Sequence, residues 1–286
     1  MIAGYRVTDV HVHIQPWGML LPEVRVRMEQ GRKDLDQIRR FMESPRAFLR
    51  FLDDAGIDRA ALINYPSPEL MGFTGEVNEW CARYCAHAPD RLIPFGSVHA
   101  RFTDDPSGET RRLLDMGIRG LKVHPPHQLF PVNAYRTGGP GEGIGEVYRV
   151  AEERAVPVMI HTGTSVFPGA RNVYADPMPA DDVAVDFPKL PLILAHAGRP
   201  LHAETAFFLA RRHPQVHLDL SGIPPRRLLD YLPRLADVAD RALWGSDWPG
   251  PGVPDLTQNV ERFLDLGLPE AACRGILHDN SLRLFL

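Results

Sequence analysis

Two histidines stand two residues apart in Thr8-Asp9-Val10-His11-Val12-His13-Ile14, a short, apolar, β-branched run. Residues i and i+2 of a strand share one face, so His11 and His13 would project together from a rigid element. A paired imidazole suits a zinc-like divalent ion. It also suits a half-buried pair with no ligand, and the spacing alone does not choose between them. Other chemistry-bearing residues close apolar runs further along. Lys122 and His124 repeat the i, i+2 spacing, His161 and His196 each end a run, and Asp247 ends another.

The intervening chain must bring these positions together. Ser44-Pro45 is a helix start, with serine as cap and proline at the first helical position. Ala47, Phe48, Phe51, Leu52 and Ala55 follow at helical spacing, and Gly56 stops the run. An apolar strand comes next, 59–65. The alternation continues with helices near 75–88, 105–116, 146–155, 181–186, 201–212 and 225–236, and strands near 92–98, 118–124, 156–161, 192–196, 216–221 and 242–247. Two C-terminal helices are expected over 256–264 and 269–277. The charged segment 23–43 has weak periodicity and is expected to contain helix over one end of the core. The Pro/Gly-rich stretch 125–145 is long for a compact domain, which suits a lid or binding loop.

Eight apolar strands alternating with helices imply parallel βαβ units. In 286 residues this predicts a single-domain α/β fold, a (β/α)8 TIM barrel with C-terminal helices. A doubly wound open sheet is the alternative. It calls for a glycine-rich phosphate turn after the first strand, where this chain has His11-Val12-His13-Ile14-Gln15-Pro16. In a barrel, the strand-end residues from His11 to Asp247 converge on one mouth.

Composition narrows the function classes. A net charge of −4 argues against a general nucleic-acid binder, which would carry a basic stripe. No apolar run approaches the roughly 18 residues of a membrane span. Cys81, Cys85 and Cys273 make no disulfide framework; Cys81 and Cys85 read as buried thiols on a helix face. The N-terminus enters a strand almost at once, without a basic-then-apolar leader, so a cytoplasmic setting is the expectation.

Taken together, Asp9-Val10-His11-Val12-His13, Gly120-Leu121-Lys122-Val123-His124-Pro125, Ile160-His161-Thr162-Gly163, Ala195-His196-Ala197-Gly198 and Gly245-Ser246-Asp247-Trp248-Pro249 resemble the amidohydrolase superfamily. More closely they resemble its branch containing metal-dependent proteins of the aminocarboxymuconate semialdehyde decarboxylase type. Leu277-His278-Asp279-Asn280-Ser281-Leu282-Arg283-Leu284-Phe285 is similar to that branch's last helix. The resemblance covers essentially the whole chain. It implies a metal-dependent barrel in which His11, His13, His161 and Asp247 hold one divalent ion, zinc first, with manganese or iron as substitutes. Such a donor set leaves a position open for water or substrate. The resemblance also makes His196 the acid or base beside the metal, with Asp247 moving a proton as well as binding. A homodimer is a further implied partner arrangement.

Lys122 carries three readings. It could be carboxylated and bridge a second metal, orient a substrate anion, or pair with a carboxylate. His124 and Arg199 are candidate substrate contacts. Asp219 is open between a structural and a catalytic role, and His127 reads as a solvated loop histidine. The expected reaction is hydrolysis of an amide, ester or lactone in a small, carboxylate-bearing substrate by metal-activated water. The alternative is non-oxidative decarboxylation of an aromatic or muconate-like acid. A metal-binding protein without catalysis is the third class.

Overall fold

The computed structural model describes residues 1–250, 253 and 255–285. Eight strands follow one another around a single parallel sheet in sequence order. They are β1 (Thr8–Val12), β2 (Arg59–Ile63), β3 (Leu92–Gly96), β4 (Gly120–Val123), β5 (Val158–His161), β6 (Leu192–Ala195), β7 (Val216–Asp219) and β8 (Ala242–Leu243). The chain just after β8 closes the sheet onto β1. Val10 N–H donates to Trp244 O at 3.0 Å, Asp247 N–H to His11 O at 2.9 Å, and His13 N–H to Trp248 O at 2.7 Å. The expected TIM barrel is therefore the fold.

Nearly every strand residue is buried because helices cover the outside and side chains fill the inside. The inner layer includes Val10, Ile63, Phe95, Met159, Ile193 and Leu243, with Phe285 of the last helix beneath it. The outer cluster joins the other strand faces to the helices. Ser44 caps the helix Pro45–Asp54 by accepting from Ala47 N–H at 3.2 Å. Asp105 and Asp255 cap Pro106–Asp115 and Leu256–Leu264 in the same way.

Several elements differ from the sequence expectation. The stretch expected as one helix over 225–236 splits into the 3-10 turn Pro225–Arg227, the short helix Leu228–Tyr231 and the 3-10 segment Leu235–Arg241. Pro233 stands in the gap, where its ring and missing N–H stop a helix. The stretch 125–145 holds two short helices, Pro125–Gln128 and Ala134–Thr137. The final helix runs past Leu277 to Phe285 through a π segment, Gly275–Asp279. Segment 23–43 does contain helix, Pro22–Glu29 and Leu35–Glu43. Among the described residues no helix is long and apolar enough to cross a membrane.

One irregularity decides where the site forms. From Asp9 to Val12, β1 takes three steps while β2 takes two, from Ala60 to Leu62. This is a β-bulge, a device that re-aims side chains. It lets Val10 pack in the inner layer while the next residue, His11, also turns into the barrel mouth. Asp9 stabilises the bulge. Its Oδ1 accepts from His11 N–H at 3.1 Å and from Ser246 N–H at 2.9 Å, tying β1 to the end of β8. Asp9 is fully buried and its carboxyl is pushed up to about 7, chiefly by desolvation.

Gly245 makes the closure sterically feasible. A Cβ there would lie 2.5 Å from Asp219 Oδ1 and 2.9 Å from both His11 Cβ and Ser221 Cβ. Gly245→Ala is therefore expected to cost about 1–3 kcal/mol through overpacking. Thermal unfolding would read this as a lower Tm; an unchanged Tm would contradict the close approach.

Candidate active site

His11 and His13 meet at their Nε2 atoms, 3.2 Å apart. Their other nitrogens explain the arrangement. His13 Nδ1 faces the Ile63 carbonyl at 3.2 Å, and a carbonyl only accepts, so Nδ1 carries the proton and Nε2 is bare. His11 Nδ1 lies 2.6 Å from Asp219 Oδ2, which likewise places the proton on Nδ1. The burial of His11 lowers its pKa, with the Lys122 charge adding to the effect, and keeps the ring neutral. Two bare lone pairs thus face each other, which is unfavourable unless a positive charge sits between them.

Asp247 completes the cluster. Its Oδ1 is 3.3 Å from His13 Nε2 and 3.8 Å from His11 Nε2. Donors about 2.0–2.2 Å from a shared ion stand roughly 3.0–3.6 Å apart. Two edges of the triangle His11–His13–Asp247 fall in that range and the third, 3.8 Å, lies just outside it, and these residues form one of two candidate metal clusters among the described residues. Asp247 is buried, which alone would raise its pKa. The positive field at the mouth, to which the Arg199 guanidinium contributes, outweighs this and holds it below the ordinary carboxylate range.

The second cluster is His11, His196 and Asp219, and its contacts are those of a hydrogen-bonded support. Asp219 Oδ2 accepts from His11 and from the Ser221 hydroxyl at 2.8 Å, and Oδ1 accepts from Ser221 N–H at 2.9 Å. A carboxylate behind a ligating imidazole fixes its tautomer and orientation. Asp219→Asn is expected to weaken metal affinity by about 10–100-fold, read by titration against a competing chelator. Unchanged affinity would remove Asp219 from this role.

His196 points its Nδ1 at the Ser221 carbonyl, 3.2 Å away, with the Ser221 hydroxyl at 3.0 Å. Its proton is therefore on Nδ1, and Nε2 is left as an acceptor. Burial, reinforced by neighbouring His11 and His161, pushes its pKa well below the usual imidazole value. His196 and Asp247 have φ of 63° and 66°, a left-handed conformation uncommon outside glycine and concentrated at functional turns.

His161 belongs to neither cluster. Its ring stacks on His124 at 3.8 Å between centroids and lies 4.8 Å from the His196 ring. Its Nε2 is buried with no hydrogen-bond partner among the described residues, and so is Lys122 Nζ. Orphaned buried polar atoms at one mouth mark groups awaiting a ligand or ion. Lys122 is fully buried and its pKa falls to about 8, desolvation outweighing the attraction of Asp219 and Asp247. Arg199 approaches Asp247 Oδ2 at 3.8 Å, and its guanidinium packs so closely on Gly222 that a Cβ there would lie 2.6 Å from Nη2.

A cavity of about 970 Å3 opens over these groups. His13, Lys122, His124, His161, His196, Arg199 and Asp247 all line it, so the structure gathers the strand-end residues at one mouth. His11 lies just beneath, fully buried. Segments 27–34 and 164–167 form the outer wall. Sequence reasoning missed the support of Ser221 and Ser246, and it misjudged His127. That residue is buried, lines the cavity and bonds to Tyr65 and Ser165. Only its place in a polar, Pro-rich stretch was visible in sequence. Cys81, Cys85 and Cys273 are free, buried thiols.

A model of the amidohydrolase family matches residues 8–286. The chain belongs to that family. It is an enzyme of a metal-dependent superfamily. No curated protein matches the chain. Solved structures share its barrel at low identity. An uncharacterised TIM-barrel protein from Bordetella bronchiseptica is 22% identical, with a TM-score of 0.75 and 98% of each chain covered. A probable 2-pyrone-4,6-dicarboxylic acid hydrolase from Acinetobacter baumannii, with citric acid bound, is 17% identical, with a TM-score of 0.67 and 98% of this chain and 99% of that one covered. A 5-carboxyvanillate decarboxylase from Novosphingobium aromaticivorans, with manganese and a nitrobenzoic acid bound, is 16% identical, with a TM-score of 0.68 and 99% and 97% covered.

Proposed function

We propose that this chain is a metal-dependent carboxy-lyase that removes CO2 from a small aromatic or muconate-like acid. The observation that carries the acid substrate in this reading is the buried Lys122 ammonium, which has no hydrogen-bond partner among the described residues and lines the same cavity as the donor triangle. A buried ammonium with no hydrogen-bonded counter-charge is costly, and a substrate carboxylate supplies one. The full-length likeness to a decarboxylase solved with an aromatic acid supports loss of CO2 over the hydrolysis expected from sequence.

In this reading His11, His13 and Asp247 hold one divalent ion, zinc or manganese, with His161 as the further donor. When bound, the ion would supply Lewis-acid charge towards substrate oxygens. Lys122 and Arg199 bind the anionic parts of the substrate and stabilise the negative charge left as the carbon–carbon bond breaks. The bare Nε2 of His196 accepts a proton from a substrate hydroxyl. His124 packs along the wall and orients the ring. The cavity walls exclude bulk water from the carboxylate.

Hydrolysis of a lactone or ester is the second reading, favoured by the likeness to the pyrone-dicarboxylate hydrolase. Both readings place carboxylates against Lys122 and Arg199. A panel of hydroxybenzoic, muconate-like and pyrone carboxylic acids, offered to the metal-loaded enzyme, separates them. Stoichiometric CO2 from at least one acid is the expected result. Ring opening of a pyrone with no CO2 from any acid would overturn the carboxy-lyase reading.

A further inference from the structure

Tyr65, His127 and Ser165 make a continuous hydrogen-bonded chain along the cavity wall. The Tyr65 hydroxyl lies 3.1 Å from His127 Nδ1, and His127 Nε2 lies 2.7 Å from Ser165 Oγ. Tyr65 and His127 are buried, Ser165 is half-buried, and all three line the cavity. The ring is held from several sides. The Ser67 hydroxyl donates to the His127 carbonyl at 3.1 Å, and His127 N–H donates to His124 O at 2.9 Å. The His124 ring stacks on the His127 ring at 3.8 Å, and Phe167 meets its edge at 5.4 Å. Ser165 is pinned in turn: its backbone N–H donates to Asn172 Oδ1 at 2.8 Å, and its carbonyl accepts from Asn172 Nδ2 at 3.0 Å.

Both polar partners of His127 are hydroxyls, and a hydroxyl can donate or accept. Carbonyl or carboxylate partners fix the tautomers of His11, His13 and His196, whereas nothing fixes that of His127. Its ring is therefore built to accept on one nitrogen while donating from the other, and to exchange those roles. Burial, aided by the positive charge of Lys122, lowers its pKa to about 3 and keeps it neutral. Burial also keeps the Tyr65 phenol protonated.

We propose that Tyr65 protonates the substrate carbon and that His127 and Ser165 relay a solvent proton back to it. The proposal rests on the carboxy-lyase reading for the identity of the proton acceptor. As CO2 leaves, its bonding electron pair stays on the substrate carbon and takes the Tyr65 hydroxyl proton. The phenolate takes the proton from His127 Nδ1, His127 Nε2 takes the Ser165 hydroxyl proton, and Ser165 takes one from water. The net change is one proton from water to carbon. The ring is left as its other neutral tautomer, which relaxes before the next turnover.

The test uses the full, metal-loaded chain and an acid that releases CO2. A glutamine amide can accept from one hydroxyl and donate to the other but cannot pass a proton. His127→Gln should therefore lower kcat about tenfold or more while KM stays within about twofold. Tyr65→Phe should cause a similar loss, and the double variant should be no slower than Tyr65→Phe alone, as for residues acting as one unit. Full kcat in His127→Gln, or multiplied losses in the double variant, would overturn the relay. A second arm needs no turnover. The 15N resonances of the His127 ring should lie between protonated and bare values in the wild type and become those of a single tautomer in Tyr65→Phe. One fixed tautomer in both proteins would overturn the relay. Exchange at His127 in an enzyme that releases no CO2 would support the relay and reject the carboxy-lyase reading.

Discussion

His11→Ala should release the metal and lower kcat/KM by about 10³-fold or more, since Lewis-acid stabilisation is worth several kcal/mol. The bulge between Asp9 and Val12 turns His11 into the mouth, Asp219 fixes its Nδ1 proton, and its Nε2 then faces His13 Nε2 and Asp247 Oδ1. Alanine removes one corner of the triangle and leaves the Asp219 carboxylate its Ser221 donors, so the barrel should still fold. Elemental analysis and circular dichroism together check this. A folded variant with full metal content would refute the ligand assignment. In the wild type the same analysis should give one ion per chain; two, with a mass increase on Lys122, would instead support the bridging reading.

Lys122→Met should weaken the handling of substrate without weakening the fold. Losing one partner of a buried charge pair costs about 2–5 kcal/mol, so kcat/KM for the acid should fall by at least roughly 30-fold. The free protein should keep or raise its Tm, because methionine replaces a buried cation with no hydrogen-bond partner. The wild type should show the same interaction through pH. Burial brings the Lys122 pKa from 10.5 down to about 8, so the ammonium is charged below that pH and neutral above it. KM for an anionic substrate should accordingly rise as pH passes about 8. A KM that stays flat through that region, together with unaltered kinetics in Lys122→Met, would place the carboxylate elsewhere.

Much of this molecule is legible in the sequence, for a physical reason. Strands buried on both faces must be continuously apolar, so a polar residue at a strand end stands out. The barrel topology and the strand-end set from His11 to Asp247 follow from that pattern. What the pattern hides is contact between distant residues. Asp219 is one aspartate among many until its carboxylate meets His11, 208 positions away in sequence. His127 lies among prolines and polar residues, yet the short helix Pro125–Gln128 carries it inward to Tyr65. The β1 bulge leaves no compositional mark, because it depends on Asp9 bonding to Ser246 across the closure. That the Lys122 ammonium lacks a hydrogen-bond partner inside the barrel is likewise something strand-end spacing does not report.

The most direct test of the central claim is anomalous diffraction from crystals of the metal-loaded enzyme with an unreactive nitrobenzoic acid analogue. One strong peak is expected, bounded by His11 Nε2, His13 Nε2 and Asp247 Oδ1, with the analogue's carboxylate hydrogen-bonded to Lys122 Nζ. A peak between His196 and Asp219, or a carboxylate bound away from Lys122, would contradict it.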